Sequence, residues 1–164
     1  MSLDLRPYQL AAVANTRAAV LAGSKAPLIV SPTGSGKTVI GAHMLANCVE
    51  LGGQASFLTG RMELTDQTSR KLDEAQLDHG VIQADHWRWR PHLPVQVASI
   101  HTLHKRGYRP QASLVIADEA HTALSPSYRG LLDAYRADGA TVVGLTATPY
   151  PPNGSMSDFF DSLT

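Results

Sequence analysis

Two glycines, a cation and a hydroxyl fall close together in Thr33-Gly34-Ser35-Gly36-Lys37-Thr38. That combination suits a polyphosphate. Glycines let backbone N–H groups approach phosphate oxygens, the Lys37 ammonium neutralises charge, and the Thr38 hydroxyl can ligate Mg2+. A helix starting near Lys37 would aim its positive dipole end at the same oxygens. The expected ligand is a nucleoside triphosphate. The pattern G-x-x-x-x-G-K-[ST] asks for glycine at position 31, where this chain has Ser31. Downstream stand two adjacent carboxylates, Asp118 and Glu119, and then Thr146-Ala147-Thr148-Pro149. A neighbouring carboxylate pair can divide metal binding from general-base work.

Each of these groups is delivered by an apolar strand candidate: Leu28-Ile29-Val30 before the glycine-containing turn, Leu114-Val115-Ile116-Ala117 before Asp118, and Val142-Val143-Gly144-Leu145 before Thr146. In an open parallel sheet, ligands bind at the carboxyl ends of the strands, so three such strands can converge on one nucleotide. Between them the chain alternates. Residues 7–22, 37–51, 61–76 and 126–137 read as helices. Residues 55–59, 79–84, 94–98 and 140–145 read as strands, and the residues after them as an irregular end rich in Pro, Gly and Ser. From Asp85 to His92, Trp87 and Trp89 alternate with Arg88 and Arg90; in a strand or hairpin this puts the aromatics on one face, where they could stack on bases or cover the sheet edge. The expectation is a single three-layer α/β domain with a mostly parallel central sheet.

The motifs SPTGSGKT, DEAH and TATP, in this order, resemble motifs I, II and III of superfamily 2 helicases and translocases. Arg6-Pro7-Tyr8-Gln9 resembles that superfamily's adenine-reading motif. Arg61-Met62-Glu63-Leu64-Thr65-Asp66-Gln67 resembles motif Ia, with Gly60 where relatives usually carry proline, and Ser99-Ile100-His101-Thr102-Leu103 resembles motif Ib. The resemblance is to DEAH-type motor domains of restriction-enzyme subunits and phage helicases. It implies a RecA-like P-loop fold over residues 1–164 as the first motor domain, with ATP and Mg2+ as cofactors. The second RecA-like domain lies outside this chain, in the same or another polypeptide. It also implies roles: Arg6 and Gln9 on adenine, Thr33 to Thr38 on phosphates, Thr38 and Asp118 on Mg2+, and Glu119 on the attacking water. Arg61, Ser99 and Thr102 would meet nucleic acid, DNA in preference to RNA. His121, Thr146 and Thr148 would link nucleotide state to that contact.

Composition sets bounds. The 164 residues carry fourteen basic and fourteen acidic side chains, so any nucleic-acid binding must be local. From His86 through Ala117 there is no Asp or Glu, while Arg88, Arg90, Lys105, Arg106 and Arg109 fall inside, a strip suited to a phosphate backbone. Cys48 is the single cysteine, which excludes an internal disulfide and makes a buried filler of it. Four of the seven histidines lie in the strip, but without carboxylates or cysteines beside them they do not complete a zinc set. No apolar run reaches the roughly 18 residues of a membrane span and the first residues lack a signal peptide's pattern, so a cytoplasmic protein is expected. Two other readings fit the phosphate loop: a nucleotide-gated binding module without turnover, and a P-loop phosphotransferase. The second leaves the DEAH and SIHTL elements without a role.

Overall fold

In a computed structural model, residues 4–150 and 154–164 are described. The strands are β1 (Pro27–Val30), β2 (Ala55–Thr59), β3 (Gly80–Ile82), β4 (Val95–Ser99), β5 (Leu114–Ala117), β6 (Thr141–Thr146) and β7 (Ser162–Leu163). They form one sheet in the order β3-β4-β2-β5-β6-β1-β7. Every described pairing is parallel. The register aligns Ile29 with Leu145, Ala117 with Gly144, and Leu58 with Ala117. The carboxyl ends of all these strands therefore lie along one edge.

Helices α1 (Pro7–Leu21), α2 (Lys37–Glu50), α3 (Met62–Glu74), α4 (Ile100–Arg106) and α5 (Pro126–Ala137) cover the two faces. Successive strand side chains point to opposite sides, and two cores result. Ile29, Phe57, Val97, Ile116 and Val143 pack with Ile40 and Leu45 of α2 and Leu72 of α3. Leu28, Leu58, Ala98, Val115 and Val142 pack with Leu103 of α4 and Tyr128, Leu132 and Tyr135 of α5. Strands buried on both faces need continuous apolar runs, which is why β1, β5 and β6 stand out in the sequence. This is the three-layer α/β architecture expected. No helix among the described residues is long and apolar enough to cross a membrane.

The structure corrects two local expectations. Residues 154–164 are not irregular: a short 3-10 turn, Met156–Asp158, leads into β7. Phe160 packs where Gly144 has no side chain, since a Cβ there would meet its ring at 2.5 Å. Asp161 accepts from the backbone N–H groups of Lys25 and Ala26, fixing this segment beside β1. Pro151, Pro152 and Asn153 lie outside the described residues. The stretch 85–92 is neither strand nor hairpin but turns that pass along the outer side of β3, with the Val81 N–H donating to Arg88 O at 2.9 Å. That backbone contact shields the sheet's open edge, while the Trp87 side chain points away into solvent.

Candidate nucleotide-binding site

The loop after β1 begins at Ser31, in the position where the motif has glycine. Ser31 is buried, and its hydroxyl donates to Ser35 Oγ at 2.6 Å. A hydroxyl-to-hydroxyl bridge thus spans the turn that glycine would leave open. Gly34 and Gly36 have φ of 79° and 82°, values in the left-handed region where L side chains are strained. At Gly36 space is also closed, since a Cβ would meet Gln9 Nε2 at 2.5 Å. Helix α2 starts at Lys37 directly behind that glycine. The Lys37 ammonium donates to Ser31 O and Pro32 O, both at 3.2 Å. Thr33 and Gly34 are exposed at the tip.

Two residues at the start of α1 hold this loop from the side. Gln9 is only 4% exposed. Its Nε2 donates to Ser35 O at 2.9 Å, and its Oε1 accepts the Arg6 N–H at 2.9 Å. Its amide therefore joins the helix start to the phosphate loop, leaving one N–H and one lone pair for any further contact. Tyr8 donates to the same Ser35 carbonyl at 2.6 Å. Sequence reasoning passed over Tyr8, although its place beside Gln9 was the available signal. Arg6 is exposed at the same corner.

Along the carboxyl edge, β1 neighbours β6 and β6 neighbours β5, bringing Thr146, Asp118 and Glu119 toward the loop. Asp118 is buried, its carboxylate accepts the Glu119 N–H at 2.9 Å, and the Tyr128 hydroxyl donates to its main-chain oxygen at 3.0 Å. Burial pushes the Asp118 carboxyl up to about 6, a rise opposed by the Glu119 N–H bond and the Lys37 charge and helped by the Glu119 carboxylate. Glu119 itself has φ of 49°, a conformation that is uncommon for a non-glycine residue and concentrates at functional sites. Its carboxylate lies 3.2 Å from His121 Nε2. The other His121 nitrogen lies 3.1 Å from Thr146 Oγ1, and Thr146 Oγ1 accepts the Thr148 N–H at 3.0 Å. Glu119, His121, Thr146 and Thr148 therefore form one hydrogen-bonded chain across two strand ends.

The Asp118 environment gives a pH prediction. A carboxyl raised in the folded state stabilises the fold when protonated, and that contribution is lost as pH rises through about 6. In metal-free buffer, Asp118→Asn should be more stable than the parent at pH 7.5, by at most about 3 kcal/mol for a rise of roughly two pH units, and should lose most of this advantage by pH 4.5. Urea midpoints at the two pH values check it. An equal shift at both pH values would remove the buried charge as the cause.

Farther along the edge, the candidate nucleic-acid residues divide. Gly60, Arg61, His101, His104, Glu119 and His121 line a cleft of about 300 Å3, so the α3 and α4 starts and the Asp118-Glu119 turn share one concave surface. His101 and His104, two of the four histidines in the strip, belong to it. Ser99 and Thr102 do not present free hydroxyls. Ser99 caps α4 by accepting the Thr102 N–H at 3.4 Å, and Thr102 Oγ1 accepts the Ala84 N–H at 3.3 Å. Both are buried, which leaves them positioning roles.

The expected basic strip is also corrected. Arg88 pairs with Asp73 at 2.7 Å, Arg90 lies 3.7 Å from Asp78, and Arg109 pairs with Asp138. Arg106 donates to Ala84 O at 2.6 Å. Acids absent from the stretch in sequence are supplied from outside it for three of its five cations, while Arg106 is held by a carbonyl.

Residues 2–151 match the family model described as Type III restriction enzyme, res subunit. Among curated proteins, the chain is 31% identical over 166 residues to a Schizosaccharomyces pombe protein named "Putative mitochondrial ATP-dependent helicase irc3", an alignment covering 93% of this chain and 27% of that protein. It thus spans about a quarter of that relative's length. The helicase domain of Pyrococcus furiosus Hef superposes with a TM-score of 0.78 at 21% identity, over 97% of this chain and 38% of that one. A nuclease-deletion mutant of the Type ISP restriction-modification enzyme LlaGI, solved in complex with a DNA substrate mimic, gives 0.77 at 18% identity, over 98% and 19%. With its ordered motifs converging on one edge of a parallel sheet, the chain belongs to the Type III restriction enzyme res subunit family and is a superfamily 2 motor domain.

Proposed function

We propose that this domain binds and hydrolyses ATP as the first RecA-like motor of a longer helicase or translocase, moving along DNA. The observation that carries the reading is the meeting, on the carboxyl ends of β1, β6 and β5, of a phosphate loop with the buried Asp118 carboxylate and the neighbouring Glu119 carboxylate, which faces His121. The LlaGI complex with a DNA substrate mimic favours DNA.

In this reading the backbone of Thr33 to Thr38 cradles the phosphates, and Lys37 exchanges its two loop carbonyls for phosphate oxygens. Arg6 and Gln9 face the base, with Gln9 also steadying the loop. Thr38 and Asp118 suit Mg2+ as hard oxygen donors. The Thr38 hydroxyl makes no hydrogen bond to another described residue, and the Asp118 carboxylate accepts only the Glu119 N–H. Bound with the nucleotide, Mg2+ would neutralise charge on the transferring phosphoryl group. Glu119 accepts the proton of the attacking water. His121, Thr146 and Thr148 carry its position to the cleft where Arg61 meets the strand.

Lys37→Ala should weaken ATP binding about 10- to 100-fold, the loss of one or two charge-assisted hydrogen bonds. Titration with a fluorescent ATP analogue checks it, and an unchanged affinity would take the phosphate loop out of the mechanism.

A further inference from the structure

Beside the edge just described, α3 turns Asp66, Ser69, Arg70 and Asp73 toward the turns that follow β3, a spacing that places all four on one helix face. Between them lies a cleft of about 380 Å3, walled on its other side by Gln83 and Trp87. That volume lies within the usual range of small-ligand pockets, about 300 to 1,000 Å3. We propose that this cleft receives a single unstacked nucleobase of the bound strand, with the Trp87 indole as its stacking partner.

The inference rests on the nucleic-acid reading above and deepens it. Sheet order places β2, β4 and β3 side by side, so their carboxyl ends present Arg61, then the start of α4, then the turn at Ala84. That turn is tied to α4 by the Ala84 N–H to Thr102 Oγ1 and by Arg106 to Ala84 O. A strand following Arg61 outward along the edge arrives at Trp87. The indole is 74% exposed, yet it is held. The His86 ring stacks on it at 5.7 Å and 24°, and the Arg88 guanidinium sits 4.8 Å from its centroid. Arg88 is anchored in turn by Asp73 at 2.7 Å, Ser69 at 3.2 Å and His79 at 2.9 Å. A large ring fixed in place and left open to solvent is a preformed stacking platform.

The lining offers a phosphate no net attraction: the carboxylates of Asp66 and Asp73 balance the guanidiniums of Arg70 and Arg88, and Arg88 is already paired with Asp73. Gln83 is more than nine-tenths buried, and its side-chain carbonyl oxygen has no partner among the described residues. Amide side chains are hydrogen-bond partners for base edges. A protein partner is disfavoured because the wall is charged rather than apolar.

The test uses the whole chain with Trp89→Phe, which leaves Trp87 the sole tryptophan. Two dye-labelled oligomers with equal numbers of phosphates, oligothymidylate and an abasic strand, are titrated at low salt, reading dye anisotropy and tryptophan fluorescence. Both should bind, and only oligothymidylate should quench Trp87. Trp87→Ala should weaken oligothymidylate binding about 5- to 100-fold, the span of one lost stack, with abasic affinity and salt slope unchanged. Trp87→Phe should recover most of the loss. Oligothymidylate binding that neither quenches Trp87 nor responds to Trp87→Ala would overturn the base pocket and leave the strand contact standing. Binding of neither oligomer would overturn the strand contact and the pocket together.

Discussion

Glu119→Gln is expected to leave Mg·ATP affinity within about threefold while lowering turnover roughly 10²- to 10⁴-fold, the usual span for a lost general base. The amide keeps the size and most of the hydrogen-bonding shape of the carboxylate but cannot take a proton. Its backbone should tolerate the change, because the left-handed φ of 49° is set by the turn after β5 and by the Thr122 N–H to Glu119 O bond at 2.8 Å. The contact with His121 is half exposed, so losing its charge should move stability by no more than about 1 kcal/mol. Phosphate release and nucleotide titration on the same preparation separate the two effects. Turnover within threefold of the parent would place the base elsewhere.

The 164-residue chain by itself is expected to bind ATP and turn it over very slowly, and joining it to a second RecA-like domain should raise the rate about 10³- to 10⁵-fold, the range attributed to an arginine finger. The arginines here have other engagements. Arg88, Arg90 and Arg109 face Asp73, Asp78 and Asp138, Arg129 pairs with Asp133 at 3.1 Å, and Arg136, the last basic residue of the sequence, donates to Phe159 O. Among the described residues no arginine side chain bonds to the phosphate loop. The charge that develops on the transferring group therefore has Lys37 on one side and no guanidinium on the other. Steady-state phosphate release at several protein concentrations decides the matter. Nucleic-acid-stimulated rates near 1 to 100 s⁻¹ would show the site to be complete as it stands. Rates rising steeply with concentration would point to an arginine supplied by a second copy.

Much of the fold was legible because a doubly covered parallel sheet writes itself as unbroken apolar runs, and Leu28 to Val30, Leu114 to Ala117 and Val142 to Leu145 each end where a polar group must emerge. The phosphate loop and the Asp118-Glu119 pair were visible for the same reason. What escaped depended on contacts between distant residues. Tyr8 looked like one more residue of a helix start until Ser35 was found beneath its hydroxyl. The stretch from Arg88 to Arg109 looked basic because its counter-charges, Asp73, Asp78 and Asp138, sit on other elements. Ser99 and Thr102 matched a motif by type, yet their hydroxyls are spent on a helix start and on Ala84. The last strand was missed because two residues are too few to carry a period, and its placement comes from Phe160 filling the space over Gly144 and from Asp161 binding the Lys25 and Ala26 backbone.

The strand order has a consequence for how the chain assembles. Strands β2, β3, β4 and β5 find all their mutual pairings within residues 55–117, so this half of the sheet closes comparatively short loops. Strand β1 comes first in the sequence, yet its partners are β6 and β7, with Leu28 beside Gly144 and Leu163. Closing so long a loop costs more entropy and comes later than local pairing. During synthesis, β1 must wait unpaired until residues past 141 have emerged, and the turn that follows it gains its shape only then. The half that carries Arg61 and Trp87 can therefore be in place before the half that carries the Lys37 loop, and that loop takes its shape only in molecules whose long-range pairing is complete.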